Sequence, residues 1–99
     1  MNLGLTYRYR RIYGTAFEMF NAALALAQQL DSRFEEGHIR LNLGEMFADT
    51  GRARRALSEL ESARDLLRSA NSPLANHAEQ ALEAISHYVA THGDADIIG

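Results

Sequence analysis

Apolar residues recur along the chain at helical spacing. Ala16, Phe20, Ala23, Ala27 and Leu30 follow one another at intervals of four, three, four and three, which places them on one face of an α-helix. Thr15, with Glu18 three residues on, forms a capping-box pattern and predicts the start of that helix, which runs to about Leu30. Asp31-Ser32 interrupts the stripe. Ser32 and Glu35 repeat the capping pattern and open a segment carrying Phe34, Ile39, Leu41, Leu43, Met46 and Phe47. Gly51 supplies the left-handed residue that commonly ends a helix. The next predicted helix covers residues 52–69, with Ala56, Leu60, Ala63 and Leu67 as its stripe. Ser72-Pro73 then sets a capping serine before a first-turn proline. That segment carries Leu74, Ala78, Ala81, Leu82, Ile85 and Val89 and ends at Gly93. At the start of the chain, Leu3, Leu5, Tyr7 and Tyr9 alternate, a spacing that fits a strand as well as a helix over so short a stretch.

An internal repeat decides for a helix there. Shifting the chain by 40 residues lays Asn2-Leu3-Gly4 on Asn42-Leu43-Gly44, Tyr7 on Phe47, Ala16 on Ala56, Phe20 on Leu60, Ala23 on Ala63 and Leu26 on Leu66. Only six positions between residues 2 and 31 are identical, so the count says little. The placement says more, because the matches fall where two helices of a pair would touch. Gly4 and Gly44 allow close approach, the aromatics three residues later fill the space beside it, and Ala16 and Ala56 let the second helix cross the first. A single helix pair cannot bury both faces, so such pairs stack. The predicted organisation is a helical domain over residues 1–93 and a tail over residues 94–99, polar apart from two isoleucines.

Composition narrows the class. The chain has 99 residues, one small domain's worth, with 46% hydrophobic and 23% charged residues, a balance that argues against disorder. All ten basic residues are arginine, there is one proline, and the net charge is −3. Arginine and alanine are good helix formers, and arginine without lysine points weakly to a GC-rich, bacterial source. The absence of cysteine removes disulfides, thiolate zinc sites and a cysteine nucleophile. The longest aliphatic run, residues 22–27, is far short of the ~20 residues needed to cross a bilayer. The N-terminus lacks the features of a signal peptide. The expectation is a cytoplasmic protein with no membrane partner.

The spacing of Gly44, Phe47, Ala56, Leu60 and Ala63, matched by Gly4, Tyr7, Ala16, Phe20 and Ala23, resembles the tetratricopeptide repeat family. The resemblance covers about residues 1–70 and implies an all-α fold of antiparallel helix-turn-helix repeats. About two repeats would be followed by a C-terminal capping helix. The period of 40 exceeds the family's usual 34. It is similar to the longer variant in bacterial transcriptional regulators, Leu-Gly-Asn adaptors and kinesin light chains. Two positions depart from the pattern. Arg40 stands where many repeats carry a large apolar residue. Arg11 stands where the second repeat has Gly51, which predicts a strained first turn.

The resemblance also implies a function. In that family the first helix of each pair lines a concave groove that holds a peptide, and no reaction takes place. The groove positions correspond here to Asn2, Leu5, Arg8, Tyr9, His38, Leu41, Asn42, Glu45 and Asp49. An asparagine amide both donates to and accepts from a peptide backbone, so Asn2 and Asn42 would grip main chain. Glu45 and Asp49 are acidic and only Arg8 is basic, which does not suit an acidic chaperone-type C-terminus. The alternative is self-association. The first predicted helix is shorter than the family's, leaving Leu3 and Leu5 for a second copy and making a homo-oligomer the expected state. A nucleic-acid reading would need Arg8, Arg10 and Arg11 on one face with Arg52, Arg54 and Arg55, beside stacking aromatics such as Tyr7, Tyr9 and Tyr13. The simpler account has the first cluster complementing a helix C-terminus and Arg55 pairing with Glu59 one turn on, and it argues against nucleic acid. No two of His38, His77, His87 and His92 are three or four residues apart, so no metal site is expected. No nucleophile elbow or phosphate loop is present, and neither an enzyme nor a cofactor is expected.

Overall fold

A computed structural model describes residues 4, 8 and 10–92 of the chain. Among these residues four bounded helices follow one another: α1 (Tyr13–Gln29), α2 (Arg33–Asp49), α3 (Ala53–Ser69) and α4 (Leu74–His92). Gly4 and Arg8 are also helical, and no strand occurs among the described residues. The fold is all-α, with each helix packed against the next in an antiparallel array.

The turns explain the regularity. Arg11, Asp31, Gly51 and Asn71 have φ of 62°, 53°, 78° and 55°, so one residue in every twenty adopts the left-handed conformation. Around three of them the hydrogen bonds form the same motif. The N–H of Ser32 donates to Ala27, that of Arg52 to Phe47 and that of Ser72 to Leu67, while the residues before them donate to Gln28, Ala48 and Arg68. These bonds satisfy carbonyls that the helix end would otherwise orphan. The left-handed residue then turns the chain back on itself. The 40-residue repeat is therefore two twenty-residue helix-and-turn units. Only Gly51 occupies this conformation without a Cβ penalty. The strain expected at Arg11 is present.

Helix starts alternate in kind. Ser32 caps α2, its Oγ accepting from the Glu35 N–H at 3.3 Å, and Ser72 accepts from the Leu74 N–H at 3.2 Å. The expected Thr15 cap does not form. Helix α1 begins three residues earlier, behind Ile12 in place of Thr15, with no side-chain cap, because the left-handed Arg11 sets where the chain can re-enter the helix. Gly93 and the tail over 94–99 lie outside the described residues.

Two apolar clusters share α2. One joins Ala16, Phe20 and Ala27 of α1 to Ile39, Leu43, Met46 and Phe47 of α2 and Ala56 of α3. The other joins Leu41 of α2 to Leu60, Ala63 and Leu67 of α3 and Ala75, Ala78 and Leu82 of α4. Phe20, Leu60 and Leu67 are fully buried, each contributing roughly 1.5–3 kcal/mol relative to exposure. Close approach occurs where the repeat predicts it. A Cβ on Gly4 would stand 2.6 Å from the Phe20 ring, and one on Gly44 would stand 2.6 Å from Leu60 Cγ. Phe20 and Leu60 are repeat-equivalent, so the same glycine-on-large-residue contact is made twice.

Candidate functional site

Helix α2 presents His38, Asn42, Glu45 and Asp49 at intervals of four, three and four, one stripe along its length. The structure brings residues from two other elements to that stripe. Arg8 Nε donates to Asp49 Oδ2 at 2.8 Å, and its Nη1 lies 3.6 Å from Glu45 Oε1. From α4, His77 Nε2 meets the other Glu45 oxygen at 2.9 Å. Arg8, Glu45, Asp49 and His77 thus form one chain of polar contacts across three parts of the array. Sequence reasoning named the first three and missed His77. Spacing could not reveal it, because only the packing of α4 brings it within reach of Glu45.

Asn42 lies within the same stripe. Its side chain is 5% exposed, and its Nδ2 has no hydrogen-bond partner among the described residues. A buried donor left unpaired costs about 1–3 kcal/mol. Such a group in a native helix calls for an explanation.

The other expected groove residues separate. Leu41 does not face a groove. It is 3% exposed and packed with Leu60, Ala63 and Leu82, because α2 is covered on two sides and 41 falls on the side of α3 and α4. His38 is half-buried with its ring 5.9 Å from that of Phe34. Asn2, Leu5 and Tyr9, and Leu3 of the self-association reading, lie outside the described residues.

The arginines also differ from expectation. Glu59 does not pair with Arg55. It accepts from Arg40 Nη1 at 2.9 Å, while Arg40 Nε donates to Glu36 at 3.0 Å. Burial on its own would lower the pKa of the Arg40 guanidinium, but hydrogen bonds to Glu36 and Glu59 outweigh it and hold the group more firmly protonated. This accounts for a charge at a half-buried position: the guanidinium clamps α2 to α3. Arg55 instead lies over the Phe47 ring, 5.9 Å from its centroid, a cation–π contact.

Among the described residues no group of three or more His, Asp or Glu side chains is placed to hold a metal ion. No helix there is long and apolar enough to cross a membrane. Fold and site together define an antiparallel helical array whose second helix carries a polar stripe bridged from both sides. Comparison with protein-family models, curated proteins and solved structures finds no match.

Proposed function

We propose that the chain is a protein-binding module of tetratricopeptide type, which holds an extended peptide along the α2 stripe between Arg8 and His77. The observation that carries this reading is the Asn42 Nδ2, which has no hydrogen-bond partner among the described residues. Nδ2 is buried in the free chain, so a peptide carbonyl would supply its missing acceptor once the neighbouring side chains move aside. The contact reads main chain, not side-chain identity. Glu45 and Asp49, already paired with Arg8 and His77, would open or re-pair to admit the peptide and set its direction. No bond is made or broken. The forty-residue period, together with arginine in place of every lysine, supports placing the module in a bacterial regulatory protein, as its sensor or scaffold part.

The test exploits the cost of the orphaned donor. Asn42→Ala removes an unsatisfied buried group, so the free protein should melt at the same temperature or higher. Peptides selected from a random library against the parent should bind this variant about tenfold more weakly. A variant that melts lower and binds the selected peptides unchanged refutes the reading.

A second reading is self-association, favoured by the outer flank of α1. Leu26 and Leu30 are 56% and 69% exposed, and Glu18 is the only charged residue in the helix. A helix apolar nearly all round belongs in an interior. Light scattering after size exclusion at ~100 μM separates the two readings: a dimer that Leu26→Glu converts to monomer supports self-association.

A further inference from the structure

The two ends of the helices are electrostatically unlike. At one end α2 and α4 start on Ser32 and Ser72, and α2 carries Glu35 and Glu36 in its first turn. At the other end α1 and α3 start on Ile12 and Arg52 with no side-chain cap and no acidic residue in the first turn. These starts lie beside the C-terminal turn of α2, whose partial negative charge offsets theirs, so the positive character of this edge rests on its arginines.

That edge contains a pocket. Tyr13 and Phe17 of α1, Met46 and Phe47 of α2, and Arg52 and Arg55 at the start of α3 line a hollow of about 320 Å³. Phe17 meets Phe47 edge-on at 6.0 Å and is 40% exposed. Arg11 lines an adjoining hollow that shares Tyr13. Arg11 thus lines one hollow and Arg52 and Arg55 the next, with the Tyr13 ring common to both. Among the described residues the pocket lining carries no carboxylate. The nearby Asp49 is engaged by Arg8.

We propose that this edge binds an acidic peptide segment that carries one aromatic or long aliphatic side chain. The apolar side chain enters between Tyr13, Phe17 and Phe47. The flanking carboxylates pair with Arg11, Arg52 and Arg55, whose planar guanidinium forks match carboxylates in two-point contacts. Charge complementarity selects the partner's sign. The interior of the pocket selects peptide over single-stranded nucleic acid. A nucleobase enclosed there would find donors in Arg52 and Arg55 but no carboxylate among the described lining residues to accept from its own N–H groups. The chain's net charge of −3 also opposes a long polyanion. This site is separate from the α2 stripe and does not depend on Asn42.

The experiment measures fluorescence anisotropy with a labelled peptide of four aspartates flanking a central phenylalanine. Companion probes are the same peptide with a central alanine and a single-stranded oligothymidylate of equal charge. The phenylalanine peptide should bind the parent chain, weaken with added salt, and bind Asn42→Ala equally well. Arg52→Glu with Arg55→Glu should weaken binding at least tenfold. Phe17→Ala, which leaves every charge in place, should weaken it about threefold or more, with circular dichroism checking the fold of both variants. No binding by the parent, equal binding of the alanine peptide, or tighter binding of the oligothymidylate would each overturn the proposal.

Discussion

One substitution made at two glycines should shift stability in opposite directions. Gly44 sits inside α2 facing Leu60. An ideal Cβ there would lie 2.6 Å from Leu60 Cγ, 2.8 Å from its Cδ2 and 3.3 Å from the Ala56 carbonyl oxygen. Leu60 is fully buried and cannot swing away, and the Ala56 oxygen belongs to the α3 backbone. Gly44→Ala gains about 1 kcal/mol of helix propensity, but the overpacking costs roughly 1–3 kcal/mol. The net expectation is a loss near 1 kcal/mol, with Gly44→Leu losing more. At Gly14, in the first turn of α1, a Cβ meets nothing within 4 Å. Gly14→Ala should therefore keep most of its propensity gain, about 0.5 kcal/mol. For a domain of this size 1 kcal/mol moves Tm by roughly 4–8 °C, so thermal melting resolves the two. Leu60→Ala, itself costing about 2–5 kcal/mol, should cost less in the Gly44→Ala background than in the parent, because the two side chains compete for one space. A Gly44→Ala protein that melts as high as Gly14→Ala would refute the close-approach assignment.

The turns and the last helix yield two further expectations. Arg11→Gly, Asp31→Gly and Asn71→Gly each relieve a left-handed Cβ and should be neutral to about 1 kcal/mol stabilising, whereas Gly51→Ala should cost about 1 kcal/mol, all read by urea denaturation. Deleting residues 72–99 strips Ala75, Ala78 and Leu82 from Leu60 and Leu67, and the remainder should aggregate or lose helicity; a soluble monomer of unchanged helicity per residue would count against α4 as the cover of α3.

The fold was legible because the signals that made it are local and doubled. Ala16, Phe20 and Ala27 are buried as Ala56, Leu60 and Leu67 are, Phe20 and Leu60 each meet a glycine forty residues from the other's, and a repeat announces such contacts before they are seen. Helix α2 was harder. Its apolar residues follow no narrow stripe, since Ile39, Leu43 and Met46 pack on one side and Leu41 on another. A helix covered on two faces keeps only a narrow polar side, too little to fix its orientation from the pattern alone. This is why Leu41, assigned to the groove by correspondence with a family pattern, belongs to the core. Thr15 misled for a different reason. Its capping pattern is genuine as a sequence, but the left-handed turn at Arg11 fixes the start of α1 first, and a residue inside the first turn has no cap to make.

The polar contacts were legible only in part, because ion pairs form between helices that spacing along one helix cannot compare. Arg55 and Glu59 have the separation that favours pairing on a single helix. Glu59 instead takes the half-buried Arg40 of α2. There the guanidinium is held between two carboxylates, and lower exposure strengthens the attraction relative to a solvated pair. That choice frees Arg55 to lie over Phe47 and line the edge pocket. A clamp between α2 and α3 and a basic rim at the start of α3 are thus coupled. Arg40→Leu would leave Glu59 without its partner and within reach of Arg55, one turn away. The expected consequence is a weaker hold on acidic peptides at the edge, with the α2 stripe unaffected. Anisotropy titration of the same labelled peptide against Arg40→Leu measures it, and an affinity equal to that of the parent chain would show that the two arginines act independently.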